Sequence, residues 1–523
     1  MQKDRLLKKF RQAAMSAVML LCLLSGCKTP DQHKLDADKE VYDIIDKKWK
    51  NDFGEKANYV IKDANNPDPG IKTYDISNLP NPISLAKAVE IATANNRVYQ
   101  DQKEALYLKA LDLTLERHKF AIQWFGTIDS GYTNNADDES LYTDTGIGFN
   151  RMLASGAVIS TNIALDWTRF LTGDPRTSLG SVLSASITQP LLRGAGEKIA
   201  QENLTQAERN VLYEIRSFNL YRKSFVVSVI NDYYKVLQQE NRVLNEKNNF
   251  ESVSQAQERL KMEAEAGRRN SFEVDQAEQD KLSARDRYIS AQQQLEQILD
   301  EFKITLAIPT TTEIVLDPNE LDALAAEQVT ESDYTINDAI DTSLVNRLDL
   351  ANKSDAVDDA ARKIIVAADN LKAGLDLVAG MSAPSAGKTD FGNIQFQDGT
   401  YNMGLEADLP FDRKAERNEY RRALIVLEQY QRDYEMEMDQ VKLEVRNSYR
   451  KLIELAEKYR IQQLSLKLAE KRVESTSLLL QAGRAQTRDL LDSQSALLNA
   501  QNDLTAALVD HAIGKLSFFR DIG

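Results

Sequence analysis

The sequence predicts a mainly α-helical fold with a smaller β region, built twice as an internal repeat. Three observations carry this. Two long stretches contain no Pro and a single Gly each: Gly267 between Gly196 and Pro309, and Gly483 between Phe411 and Gly514. Landmarks recur at one offset of 216 positions: Ala266-Gly267-Arg268 with Ala482-Gly483-Arg484, Asn231 to Lys235 with Asn447 to Lys451, and Phe302 with Phe518. Between the helical stretches the hydrophobic period changes to two.

The chain has 523 residues, 42% hydrophobic and 28% charged, so it has the composition of a folded protein. Its net charge of −15 argues against nucleic-acid binding, which needs basic stripes. Lys3, Arg5, Lys8, Lys9 and Arg11 precede an apolar run from Ala13 to Leu24 that ends in Leu24-Ser25-Gly26-Cys27. This looks like a bacterial lipoprotein signal over 1–26, cleaved between Gly26 and Cys27, with Cys27 then acylated (palmitate among its chains). Lys28 fits sorting to the outer membrane. An ordinary secretory signal with a chance Cys is the plainer alternative. Cys22 leaves with the signal, so the mature chain keeps one Cys and has no internal disulfide.

Residues 27–82 are polar, carry turn formers such as "NPDPG", and read as a lipidated tether with one short helix at most. A first repeat spans 83–308, a linker 309–333, and a second repeat 334–523. Both repeats open alike, at Ser84 to Glu90 and at Thr335 to Asp341, with Ser84 and Thr335 as N-caps. First helices are expected over roughly 84–118 and 335–371. Strands follow. In 401–409, Tyr401, Met403, Leu405, Ala407 and Leu409 alternate with polar or small residues; in 157–167, Ile159, Ile163 and Leu165 alternate with Ser160, Asn162 and Asp166. Segments 122–132, 181–189 and 373–381 alternate less cleanly. Such strands suit a membrane β-barrel or a small soluble sheet equally.

Next come helices over Glu197 to Glu265 and Lys414 to Gln481, each ~100 Å long at ~1.5 Å per residue. After each lone Gly a second helix returns. Val274, Ala277, Ala284, Tyr288, Ala291, Leu295, Ile298 and Phe302 step by three and four, as do Leu490, Ser493, Leu497, Ala500, Leu504, Ala507, His511, Gly514 and Phe518. That is a coiled-coil seam. Gly267 and Gly483 supply the left-handed residue that ends a helix, and Ser271 and Thr487 are expected to cap the return. Each lone Gly therefore marks the tip of a long antiparallel hairpin.

A lipoprotein signal, two halves of helix, strands, helix and helix, a strand running into "QPLLRG" (189–194), and two Ala-Gly-Arg tips together resemble the TolC family of outer-membrane efflux proteins. The resemblance covers about residues 83–523. It implies a homotrimer anchored by Cys27 in the bacterial outer membrane, with outer-membrane lipid around it. The strands would form one shared β-barrel and the helices an α-barrel crossing the periplasm. A periplasmic adaptor and an inner-membrane pump would dock at the tips, giving a passive duct for tripartite efflux or type I secretion. The stretch 145–156, "TGIGFNRMLASG", departs from the pattern: either the first half has more strands than the family's usual two, or an external loop is lengthened.

Asp489 and Asp492 lie three apart after the second tip and share a face. The resemblance places carboxylates there at a narrow periplasmic entrance; Glu273 is the first-tip equivalent of Asp489. The plainer alternative is that Asp489 and Glu273 complement the positive ends of their helices while Asp492 is solvated. The Tyr and Arg that close the entrance in some members are replaced by Leu480 and Ala485, leaving open whether Arg269, Arg484 or Arg488 substitutes. Arg268 and Arg484 read as adaptor contacts or as solvated cations at helix ends. Trp124, Tyr132 and Trp167 mark a membrane interface or pack in a soluble sheet. No catalytic residue, metal site or cofactor is expected: the three His, His33, His118 and His511, have no triad or ligand company. Two other readings stay open: a lipid-anchored periplasmic coiled-coil scaffold, and an adaptor without a pore.

Overall fold

The computed structural model describes residues 28–54, 58–61, 81–134, 139–170, 177–326, 335–386, 393–482 and 484–523. Gly26, Cys27 and Gly483 lie outside them, as does the Trp167 side chain.

Helix α1 (Pro30–Phe53) opens with a capping box at Thr29. It corrects the expected tether. Val41, Ile44, Ile45 and Trp49 are at most 3% exposed and join a core with Tyr99, Leu106 and Phe218 from the first repeat. The apolar positions recur every three or four residues, so one stripe docks while a charged face meets water.

The expected first helix of each repeat is two helices. In the first repeat, α2 (Leu85–Asn95) and α3 (Arg97–Phe120) meet at Asn96, whose extended backbone breaks the helix while its Oδ1 accepts the Tyr99 N–H at 3.0 Å. In the second, α8 (Ile336–Asn346) and α9 (Leu348–Asp369) meet at Arg347. Thr335 caps α8 with a full capping box, as expected; Ser84 precedes α2 without a side-chain bond. The linker also holds structure. Ile83 N–H donates to the Val315 carbonyl at 2.8 Å, and Asn319–Ala326 forms α7.

Six strands make one antiparallel sheet in sequence order: β1 (Gln123–Asn134), β2 (Glu139–Met152), β3 (Val158–Phe170), β4 (Thr177–Pro190), β5 (Gly374–Pro384) and β6 (Thr400–Asp408). The first repeat thus supplies four strands and the second two. Stretch 145–156 is not a lengthened loop: it is the second part of β2 and its turn into β3.

After a short turn of helix, α4 (Glu197–Ala200), the long helices follow: α5 (Glu202–Glu265) with its return α6 (Ser271–Thr305), and α10 (Lys414–Gln481) with its return α11 (Thr487–Asp521). The seam is as expected. Ala277, Ala284, Ala291 and Phe302 are buried on α6; Ser493, Ala500, Ala507, His511 and Phe518 are buried on α11. Small residues at these positions let the paired helices approach closely. The hairpins lie side by side through α5 and α11, so the lateral order is α6, α5, α11, α10. That joint mixes apolar contacts, such as Val253 with Leu491, and polar ones: Asn245 donates to Asn502 at 2.9 Å, and Gln494 to Ser252 at 2.9 Å.

Candidate functional site

Two regions gather the chemistry: the hairpin tips and the two faces of the sheet. At the first tip, Gly267 has φ +72°. The Arg268 N–H donates to the Glu263 carbonyl and the Gly267 N–H to the Ala264 carbonyl, at 2.8 and 2.9 Å. This is the Schellman pattern, which satisfies the last free carbonyls of α5. At the second tip the Arg484 N–H reaches the Leu479 carbonyl at 2.8 Å, the same bond spanning residue 483. Ser271 and Thr487 are not the caps. Each is the first residue of its helix, after Asn270 and Gln486. The misplacement is one residue, because Gln486 rather than Thr487 has the extended backbone that a cap needs.

The three expected entrance carboxylates have different surroundings. Glu273 accepts from Arg269 at 3.2 Å, and Arg269 also reaches Glu263 at 3.1 Å, tying the two sides of the turn. Asp489 closes a capping box by accepting the Gln486 N–H at 2.9 Å. Asp492 is exposed, with Arg488 at 3.9 Å. Between the tips lies a cavity of about 330 Å³ lined by Arg269, Phe272, Glu273, Asp280, Gln486 and Arg488, among others. Asp280 of α6 is the carboxylate that sequence reasoning missed. Burial holds its pKa above the ordinary value, and Asp492 from the other hairpin adds to the rise; Arg488 and Arg287 oppose it. Asp280 follows Gln276 by one helical turn, so it faces the same way. That spacing was the available signal, but its partner is across a tertiary gap. Arg268 and Arg484 are exposed. Phe272 is 73% exposed, and its counterpart at the 216 offset is Arg488.

The register sorts the sheet into two faces. One carries Trp124, Ile128, Ile147, Ile163, Leu183, Met403 and Leu405. Many of these are exposed: Trp124 is 71% and Met403 77% accessible. The other face carries Thr127, Gly146, Ser160, Ser184, Ser186 and Asn402. On it, Asp129 stands opposite Asp144, and Asp144 opposite Asp166. Like charges directly opposed in a sheet are unfavourable, so this row is not there for stability. Aromatic residues flank the apolar face of β1 at both ends, Trp124 beside Phe149 with ring centroids 5.3 Å apart, and Tyr132 at the far end.

Among the described residues no group of His, Cys, Asp and Glu has the arrangement of a metal site, and no helix is long and apolar enough to cross a membrane. A barrel strand needs no such helix.

No family model and no curated protein sequence matches the chain. Solved structures do. The chain is similar to CusC, described with its transmembrane channel formation, at TM-score 0.62 and 14% identity over 87% of this chain and 99% of that one. It is similar to the Campylobacter jejuni CmeC outer membrane channel at TM-score 0.60 and 15% identity, covering 84% of this chain and 85% of that one. The Neisseria gonorrhoeae MtrE outer membrane channel in its open state gives TM-score 0.60 and 13% identity, over 84% and 88%. The fold is that of outer-membrane channels, the one the resemblance to the TolC family implies. These neighbours are channels rather than enzymes.

Proposed function

We propose that this chain is the outer-membrane component of a tripartite efflux or type I secretion system, acting as a passive homotrimeric duct. One observation carries the reading: a six-stranded sheet with an exposed apolar face, an opposite polar face, and two edges, β1 and β6, with no neighbouring strand among the described residues. In lipid, open edges leave backbone groups unsatisfied, at several kcal/mol each, so such a sheet must close with other copies. The shaft supports the same closure. Its outer helices expose apolar residues, Leu282 and Ile289 on α6, and Ile461, Leu464 and Leu468 on α10. A second copy would set α6 against α10 and bury both stripes.

In this reading Cys27 carries the lipid anchor after cleavage at Gly26, and the helices extend into the periplasm. Asp489, Asp492 and Glu273 line the periplasmic entrance, with Asp280 added. The tips around Gly267, Arg268, Gly483 and Arg484 receive the adaptor and, behind it, the inner-membrane pump. The repeats are taken as 83–308 and 334–523, a division supported by the duplicated helical hairpins.

Conductance of the purified protein in a planar bilayer tests the reading. Discrete trimer-dependent channels are expected. A protein that Cys27→Ser releases from the membrane and that never conducts would be a lipid-anchored scaffold instead.

A further inference from the structure

The resemblance implies two strands from each half, hence four per copy; among the described residues this chain has six. We infer that three copies close an eighteen-stranded barrel, wide enough for hydrophilic cargo bulkier than a single α-helix. The inference rests on the trimeric-duct reading and concerns how wide that duct is at the membrane.

The register sets the geometry. Followed from strand to strand, Trp124 stands level with Phe149, Thr161, Ala185, Met381 and Tyr401. Trp124 is near the base of β1, where the helical shaft begins. Tyr401 is seven residues (408 − 401) from the base of β6 at Asp408, where the chain heads back into the shaft. Seven residues at ~3.3 Å rise make ~23 Å along the strands, and five strand spacings at ~4.8 Å make ~24 Å across them. The strands therefore tilt by ~44°, within the ~35–45° of closed membrane barrels. Eighteen strands at that tilt give ~38 Å between opposite backbones; twelve would give ~25 Å.

The wall is thin on its polar face. Gly146, Ser160, Ala164, Ser184 and Ser186 are small. Two large residues there, Phe125 and Tyr142, lie flat on glycines. A Cβ built on Gly148 would come within 2.6 Å of Phe125, and one on Gly131 within 2.5 Å of Tyr142. The lumen then keeps ~25 Å of width, about twice the ~10–12 Å of an α-helix.

The added strands are fixed parts of the wall. The β2–β3 turn closes with the Leu153 N–H on the Ala157 carbonyl at 2.7 Å. Gly156 has φ +90°, and a Cβ there would sit 2.8 Å from the Gly194 carbonyl oxygen. The Gly196 N–H donates to the Ser155 carbonyl at 3.1 Å, and the Ser155 hydroxyl donates to Gln189 at 3.0 Å. This turn is thus locked to the end of β4 and the segment that follows it, as the pairing of β3 with β4 allows.

Cysteine labelling on intact cells tests the width. Ser140→Cys and Asp144→Cys lie on the polar face of β2, Thr145→Cys on its apolar face, and Ser184→Cys on the polar face of β4. Two probes are added outside: a small hydrophilic maleimide, and a polyethylene-glycol maleimide ~20 Å across, chosen to pass the wider ring only. The expected result is that Ser140→Cys, Asp144→Cys and Ser184→Cys react with both, and Thr145→Cys with neither. Labelling of the polar-face positions by the small probe alone means a narrower ring and overturns the inference, while the duct survives. Labelling of Thr145→Cys as readily as Ser140→Cys puts β2 outside the wall and also overturns it. A Ser184→Cys that reacts with neither probe removes the duct reading, and the width with it.

Discussion

Trp49→Ala should detach the N-terminal helix from the shaft. Trp49 is 1% exposed. Its ring lies 5.3 Å from Tyr59 and 6.2 Å from Phe218, and the Arg222 guanidinium sits 5.8 Å over it. Tyr59 in turn donates to Asp46, so the helix and the segment after it share the anchor. Truncating a buried Trp costs ~3–5 kcal/mol. Much of that falls on the local opening of α1, because one stripe holds the helix down and its ends are free to open first. At ~1.4 kcal/mol per decade, amide exchange over 30–53 should speed up by a factor of roughly 10² to 10³. Hydrogen-exchange mass spectrometry on the purified protein reads this directly. Leu35→Ala is the control, since Leu35 is 52% exposed and its loss should change exchange little. Unchanged exchange over 30–53 in Trp49→Ala would refute the docking, leaving α1 a helix that owes nothing to the shaft.

Other outcomes follow from the same geometry. Gly267→Ala should destabilise the first hairpin by about 1 kcal/mol, all of it backbone strain at φ +72°, because a Cβ there meets nothing within 4 Å; denaturant midpoints would show it. Thr335→Ala should cost ~1 kcal/mol by removing the capping box of α8, with Thr335→Ser restoring most of it in the same assay. If the chain conducts as proposed, Asp144→Asn should shift single-channel current away from cations, since it breaks the Asp129–Asp144–Asp166 row, and it should leave the fold at least as stable. Asp280 has a raised folded pKa, so the folded state holds its proton more tightly than the unfolded chain does. Its contribution is present below the ordinary carboxylate range and is lost as pH rises through the raised value. Asp280→Asn should therefore flatten the pH dependence of stability above pH ~4, measured by thermal melts; an unchanged slope would contradict the burial.

The hairpins were legible because a seam is a local pattern: Ala277, Ala284 and Ala291 recur every seven residues, and only a helix puts them on one side. The tip at Gly267 was legible because a lone Gly in a long helical stretch has one structural use. Helix α1 was obscured by its composition. Four buried residues among Lys and Asp look like a polar tether until the groove lined by Tyr99 and Phe218 is in place. Strand β2 was obscured by Gly146 and Gly148 and by its Thr residues, which blunt the alternation; the register with β1 and β3 restores it. The breaks at Asn96 and Arg347 depend on ψ at single residues, and the apolar pattern runs through both. Asp280 was missed for a different reason: its meeting with Asp492 joins two hairpins, and no spacing within either one encodes it.

The offset that makes the hairpins alike also makes their ends unlike. Phe272 and Arg488 occupy the same step of the two return helices, one greasy and one cationic. Three copies arranged in a circle would show six ends alternating between those characters. Whatever clasps the whole circle has to meet an oily end and a charged end in turn, so it must either carry two kinds of grip or come in pairs that divide the work.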